Sequence, residues 1–64
     1  MTCVYQGKMS FLLENGTKIT LIKWIHSVIG NQYFVAKDEK NNECIFYVKS
    51  RDKDGNIIEV ERVK

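Results

Sequence analysis

A chain of 64 residues with no proline, two cysteines and a formal net charge of +2 is enough for one small domain but not for a large buried core. Its ten basic and eight acidic side chains are interleaved, unlike the dense basic cluster typical of a dedicated nucleic-acid binder. No apolar run approaches the roughly 20 residues that a bilayer crossing requires. We therefore expect that the protein neither spans a membrane nor has a membrane as its partner. We expect one domain over residues 1–64.

The N-terminal residues alternate polar and apolar side chains and lack the apolar stretch of a signal peptide. We therefore expect a cytoplasmic protein with both thiols reduced. The scattered Cys3, His26 and Cys44 fall short of the four ligands of a structural zinc site. The sequence predicts neither a metal nor a cofactor.

The first clear strand signal is the alternation of Met9, Phe11 and Leu13 with their neighbours, which has the period of two of a half-buried strand. Asn15-Gly16 follows and is typical of a hairpin turn. A two-residue loop would place Phe11 opposite a threonine and spoil the apolar face. We therefore predict a three-residue loop over residues 14–16 that pairs Phe11 with Ile19, with Gly16 in the left-handed conformation.

The stretch from Thr17 to Ile29 is ambiguous. Five of its apolar residues follow the spacing of one helix face: Leu21, Trp24, Ile25, Val28 and Ile29. Its Ile, Val, Thr and Trp residues nevertheless favour a strand over a helix. We predict a strand with a bulge where the apolar phase slips after Leu21, and Trp24 as the main core side chain in either case.

Three further strands are predicted, over residues 32–37, 44–49 and 57–63, from their β-branched and aromatic composition. The first two are apolar on both faces, which indicates that both faces are covered. The last alternates apolar with charged side chains and is suited to a sheet edge.

These five strands predict an all-β fold, either a small, strongly bent antiparallel sheet or an SH3-like or OB-like barrel. The alternative is an α+β fold with one helix at about residues 18–29.

Two motifs invite a chemical interpretation. Asp52-Lys53-Asp54-Gly55-Asn56 matches the start of an EF-hand loop, but its sixth position is Ile57 and its twelfth is Val63 instead of glycine and glutamate. We predict a polar hairpin loop there. His26, the sole histidine, has no nearby serine or cysteine that is accompanied by an identifiable third, orienting residue, so we predict no catalytic residue and no enzyme activity. We expect Cys44 in the core and Cys3 exposed.

The candidate functional residues are Tyr33, Tyr47, Lys37 and Lys49. If the two tyrosines share an outer face, they can form an interface with another protein, since tyrosine is enriched at such surfaces. We predict a small non-catalytic binding module that contacts a protein, as an inhibitor or adaptor, with a homodimer as one form of this contact.

The alternative is a nucleic-acid-binding barrel that stacks bases on the same tyrosines beside the lysines. The bias of lysine over arginine, with frequent Ile and Asn, is typical of AT-rich coding sequences such as those of a low-GC bacterium, its phages or other mobile elements.

Overall fold

A computed structural model describes residues 1–26 and 29–64. Its strands are β1 Cys3–Gly7, β2 Ser10–Leu13, β3 Lys18–His26, β4 Gln32–Lys37, β5 Glu43–Arg51 and β6 Ile57–Arg62. They form one antiparallel sheet in the order β1-β2-β3-β4-β5-β6, which curls into a nearly closed, barrel-like shape. The all-β prediction is confirmed, although the sheet has six strands instead of the five expected. No described residue belongs to a helix that could cross a membrane.

The N-terminus brings the two ends of the sheet together. Thr2 forms an isolated antiparallel bridge with Glu59, and the N–H of Val60 donates to the carbonyl of Met1 at 2.8 Å. The N-terminal amino group also lies 3.9 Å from the Glu14 carboxylate and 3.8 Å from that of Glu59. The last strand, predicted to be a sheet edge, is last in the strand order, but these contacts position β1 beside it and cover part of that edge.

The ambiguous stretch is a strand as far as His26, so the helix alternative is wrong for that part; residues 27 and 28 lie outside the described residues. The pairing with β4 shifts between Leu21 and Lys23, which confirms the predicted bulge. Ile22 is the extra residue and its side chain is exposed. Past the bulge, Trp24 lies opposite Phe34 and packs against the core.

The register that the sequence predicts for the hairpin of β2 and β3 is confirmed. Phe11 lies opposite Ile19, and Leu13 donates its N–H to the carbonyl of Thr17 at 2.8 Å. The loop between them contains residues 14–16, and Gly16 has a φ of 89°, which an L side chain rarely adopts.

The core consists of one side of every strand. Its largest fully buried side chains are Phe34, Phe46, Ile19 and Val60. The ring of Phe34 stacks on that of Phe46 with centroids 5.6 Å apart and meets the edge of Trp24 at 5.6 Å. Trp24 itself is only partly buried. The main core side chain is therefore Phe34 and not Trp24, because Phe34 lies on the central strand β4.

The turn between β1 and β2 carries backbone strain. Lys8 and Met9 both have positive φ, at 53° and 63°, which is typical of a type I′ hairpin turn that favours Asn-Gly. A residue with a Cβ atom costs about 1–2 kcal/mol in this conformation, and asparagine tolerates it best. Gly7 marks a break in the sequence here, but Lys8-Met9 does not have the residue types of a hairpin turn, so no hairpin was predicted.

We predict that Lys8→Asn raises the free energy of unfolding by about 0.5–1 kcal/mol, because asparagine adopts the left-handed conformation at lower cost. Urea denaturation followed by far-UV circular dichroism measures the change. The control is Lys53→Asn, a matched exchange in the β5–β6 turn at a residue without positive φ. Equal effects of the two substitutions would contradict the assignment of strain to Lys8.

Candidate functional site

The outer side of strands β3, β4 and β5 contains the predicted tyrosines. Phe34 and Ala36 point into the core, so the alternate residues of β4 point outward. We call the outward apolar side chains of these three strands the central face; it consists of Ile25, Tyr33, Val35, Ile45 and Tyr47.

Tyr33 and Tyr47 lie directly opposite each other in the β4–β5 register. Their ring centroids are 5.3 Å apart at an interplanar angle of 45°, and both side chains are half-buried. Each ring thus covers part of the other and leaves part of its surface and its hydroxyl group to solvent.

The two predicted lysines lie beyond opposite ends of the central face: the register places Lys37 on its side of the sheet, whereas Lys49 lies at a shift in the pairing of β5 with β6. Lys49 is two residues beyond Tyr47, about 7 Å along the strand. Lys37 is four residues from Tyr33, about 13 Å away, and lies opposite Glu43. The structure therefore places Lys49 near Tyr47, since both line one surface depression, but separates Lys37 from the tyrosines.

A groove of about 440 Å³ crosses the central face; we call it the outer groove. It is lined by Lys23, Ile25, Val35, Glu43, Cys44, Ile45 and Lys64. Val35 is only 7% exposed although it is not part of the inner core, because the neighbouring outer side chains cover it. Ile25 is 36% exposed. The groove is thus an apolar depression with charged residues at its borders.

Lysines predominate around the central face. Those on its side of the sheet or at the groove are Lys23, Lys37 and Lys64, whereas the acidic residues there are Glu43 and Glu61. Both ion pairs found among residues 1–26 and 29–64 use the N-terminal amino group instead. The border of the face is therefore positively charged.

Sequence reasoning missed the contribution of β3 to this face. The bulge at Ile22 shifts the alternation, so that Lys23 lies opposite Val35 and Ile25 lies opposite Tyr33. The change in the apolar alternation after Leu21 indicated a bulge, but it did not show which residue would be the extra residue of that bulge.

The calcium-like motif is a capped turn. The Asp52 carboxylate accepts the backbone N–H groups of Asp54 and Asn56, both at 2.9 Å. Asp38 accepts the N–H groups of Lys40 and Asn42 in the same way between β4 and β5. The hairpin loop predicted at residues 52–56 is therefore observed, and the hydrogen bonds that stabilise the two turns explain why an aspartate occupies each of them.

The remaining candidate side chains divide between core and surface. Cys44 is buried as predicted, and its thiol donates to the carbonyl of Ala36 at 3.5 Å. The prediction of an exposed Cys3 is wrong, because closure of the sheet buries it and its thiol donates to Ile57 O at 3.6 Å. Both cysteines are free. His26 is exposed at the end of β3.

Neither a protein family, nor a curated protein sequence, nor a solved structure matches this chain.

We predict that neither native thiol reacts readily. Burial raises the pKa of both Cys3 and Cys44 above the usual 9.0, so little of the reactive thiolate forms at pH 8. Labelling with a disulfide reagent should be at least about 100-fold slower than in denaturant, since it requires local opening. The control is Val4→Cys, at an adjacent position that is 60% exposed. Rapid labelling of one native thiol would contradict this prediction.

We also predict a pH dependence from the two capped turns. Hydrogen bonds from Asn56 lower the pKa of Asp52, and the backbone N–H of Asn42 lowers that of Asp38, both below the usual 3.8. The stabilisation is present above that value and is lost as the pH falls through the lowered pKa values. The double variant Asp38→Asn, Asp52→Asn should lose less stability between pH 5 and about pH 2.

Chemical denaturation across this pH range measures the effect. Asp54→Asn is the control, because Asp54 contributes its backbone N–H to the turn. If Asp54→Asn reduced the pH dependence of stability as much as the double variant does, the change would be due to net charge and not to the capped turns.

Proposed function

We propose that this chain is a small non-catalytic binding module that contacts another protein through its central face, as an inhibitor or adaptor. The observation that carries the proposal is the outer groove, about 440 Å³ in volume, with Val35 as its floor and Ile25 and Ile45 beside it. An apolar depression on an outward sheet face gains free energy when a partner covers it, at about 25 cal/mol per Å² of apolar surface.

The composition of the face supports a protein partner. Aliphatic side chains occupy its centre, and Tyr33 and Tyr47 lie beside them with polar hydroxyl groups still accessible. Tyrosine combines a large apolar ring with a hydrogen-bonding group, and interface centres are enriched in it. Charged side chains at the border correspond to the polar rim of an interface.

The charge at the border indicates an acidic partner surface. Lysines outnumber glutamates around the face, so negative side chains on a partner would be attracted to it and would associate faster. A second copy of this chain would place lysines opposite lysines, which costs free energy. A different protein therefore fits the face better than a homodimer.

Nucleic acid is the second candidate. Tyr47, Lys49 and Arg51 line a shallow depression of about 300 Å³, where an aromatic ring lies near two cations. Tyr33 and Tyr47 contact each other, however, which leaves less ring surface for a base. We therefore favour the protein partner.

We predict that a benzoylphenylalanine cross-linker at position 47 gives a discrete adduct with a second protein in cells of the organism of origin. The same cross-linker at position 4 should not, because Val4 is exposed on a different strand. Ile25→Glu should reduce the adduct about tenfold or more by placing a negative charge against an acidic partner, whereas Val4→Glu should leave it unchanged. Mass spectrometry of the adduct measures the result.

Two measurements separate the alternatives. Light scattering after size-exclusion chromatography reports a homodimer, and fluorescence anisotropy of single-stranded DNA at low and high salt reports backbone-driven binding. Identical adducts from positions 47 and 4, or no heteromeric adduct at either, would refute the proposal. Salt-sensitive DNA binding that requires Tyr47 would establish the second candidate in its place.

A further inference from the structure

A third depression lies where the β1–β2 and β5–β6 turns approach β3. Its volume is about 230 Å³, and we call it the mouth pocket. The side chains that define it are Tyr5, Met9, Phe11, Trp24 and Arg51. It shares no lining residue with the outer groove, because Trp24 and its neighbour Ile25 point to opposite faces of β3.

Arg51 is the one charged residue among the described residues that line this pocket. Its Nε and Nη2 donate to Gln32 Oε1 at 3.2 and 2.8 Å, and its Nη1 donates to the carbonyl of Gly55 at 2.7 Å. These bonds use three of the five N–H groups of a guanidinium. No described carboxylate forms an ion pair with it. The guanidinium is therefore held in place with two donors and its charge still available.

The aromatic wall of the pocket is fixed by the core. The guanidinium carbon of Arg51 lies 5.8 Å from the centroid of Trp24, and Trp24 meets Phe34 edge-on at 5.6 Å. On the other wall, Tyr5 packs on Phe11 with centroids 5.4 Å apart. The outer surface of this aromatic set is thus preorganised for contact, which lowers the entropic cost of binding.

The β1–β2 turn supplies the third wall. Met9 is 45% exposed, and its backbone N–H donates to the hydroxyl of Tyr5 at 3.4 Å. The positive φ values of Lys8 and Met9 store strain at this rim. Such strain is concentrated at sites where it holds a side chain in a functional position. Methionine adapts its shape to an incoming side chain more readily than a branched residue.

We propose that the mouth pocket binds a protein segment in which a carboxylate lies next to an apolar or aromatic side chain. The apolar side chain enters between Tyr5, Met9 and Trp24, and the carboxylate accepts hydrogen bonds from Arg51. The pocket contains residue types that are enriched at protein interfaces: tyrosine, tryptophan, methionine and arginine. Of these, tryptophan, tyrosine and arginine most often contribute the largest share of the binding energy of an interface.

The charge and the size of the pocket favour a peptide over nucleic acid. One cation neutralises one negative group, whereas a nucleic-acid strand presents a phosphate at every nucleotide and requires several basic residues. The volume is below the roughly 300–1,000 Å³ typical of a site for a whole small ligand. It is suited to one side chain of a longer segment.

A peptide selection followed by a fluorescence titration tests the proposal. Random heptapeptides displayed on phage are selected on the intact chain, and we expect enrichment of Asp or Glu next to Leu, Phe, Tyr or Trp. Trp24 is the sole tryptophan, so its emission reports directly on binding of the selected peptide, made synthetically. Arg51→Gln should weaken binding about tenfold or more, and Arg51→Lys by less, because lysine keeps the charge but loses the planar fork.

Met9→Ser serves as a second variant that changes only an exposed turn residue, and we expect several-fold weaker binding. Thermal unfolding of each variant verifies that it is folded. Tyr47→Ser should bind the peptide as tightly as the unsubstituted chain, which separates this site from the proposed function of the central face. No enrichment, enrichment without acidic residues, or binding unaffected by Arg51→Gln would overturn the proposal. A Trp24 response to oligothymidine that exceeds the response to the peptide would also overturn it.

Discussion

The fold depends on the packing of Phe34, on the inner side of the sheet, against aromatic rings from strands on either side of β4. Its ring contacts Phe46 on β5, Phe11 on β2 and Trp24 on β3, with centroids 5.6 to 6.1 Å apart. Truncating a buried phenylalanine costs about 3–5 kcal/mol. A 64-residue domain has a total stability of only about 3–10 kcal/mol on the usual scale per residue. This one side chain therefore joins four strands that would not remain paired without a shared core.

The small size of this core determines what the surface can do. A curled six-stranded sheet encloses one side of each strand, so the outward residues of its central strands must be covered by one another or by a partner. Val35 is covered by its neighbours, whereas Tyr33 and Tyr47 are covered only in part. Where the sheet curls at β3, Trp24 similarly remains partly open beside Arg51. Both candidate surfaces thus arise from apolar residues that the enclosed volume cannot hold.

Much of the strand pattern was predictable because it is local. Adjacent side chains of a strand point to opposite faces, so alternation located β2 and β6, whereas the β-branched and aromatic residues of β3, β4 and β5 located the central strands. The loop at residues 14–16 was predictable because only one loop length pairs Phe11 with another apolar residue. Strand β1 was not predicted, since Lys8-Met9 is an atypical sequence for the hairpin turn that joins it to β2.

The sequence by itself determined that Tyr33 and Tyr47 point away from the side chains of Phe34 and Phe46, since this follows from the two-residue period of each strand. Only the tertiary structure decided that the two tyrosines lie directly opposite each other and that Arg51 lies over Trp24. The register between strands depends on the positions of the bulges and on closure of the sheet, which together must pair all six strands and bury their apolar sides. Contacts between residues far apart in the chain are fixed by that collective packing, which no local pattern records.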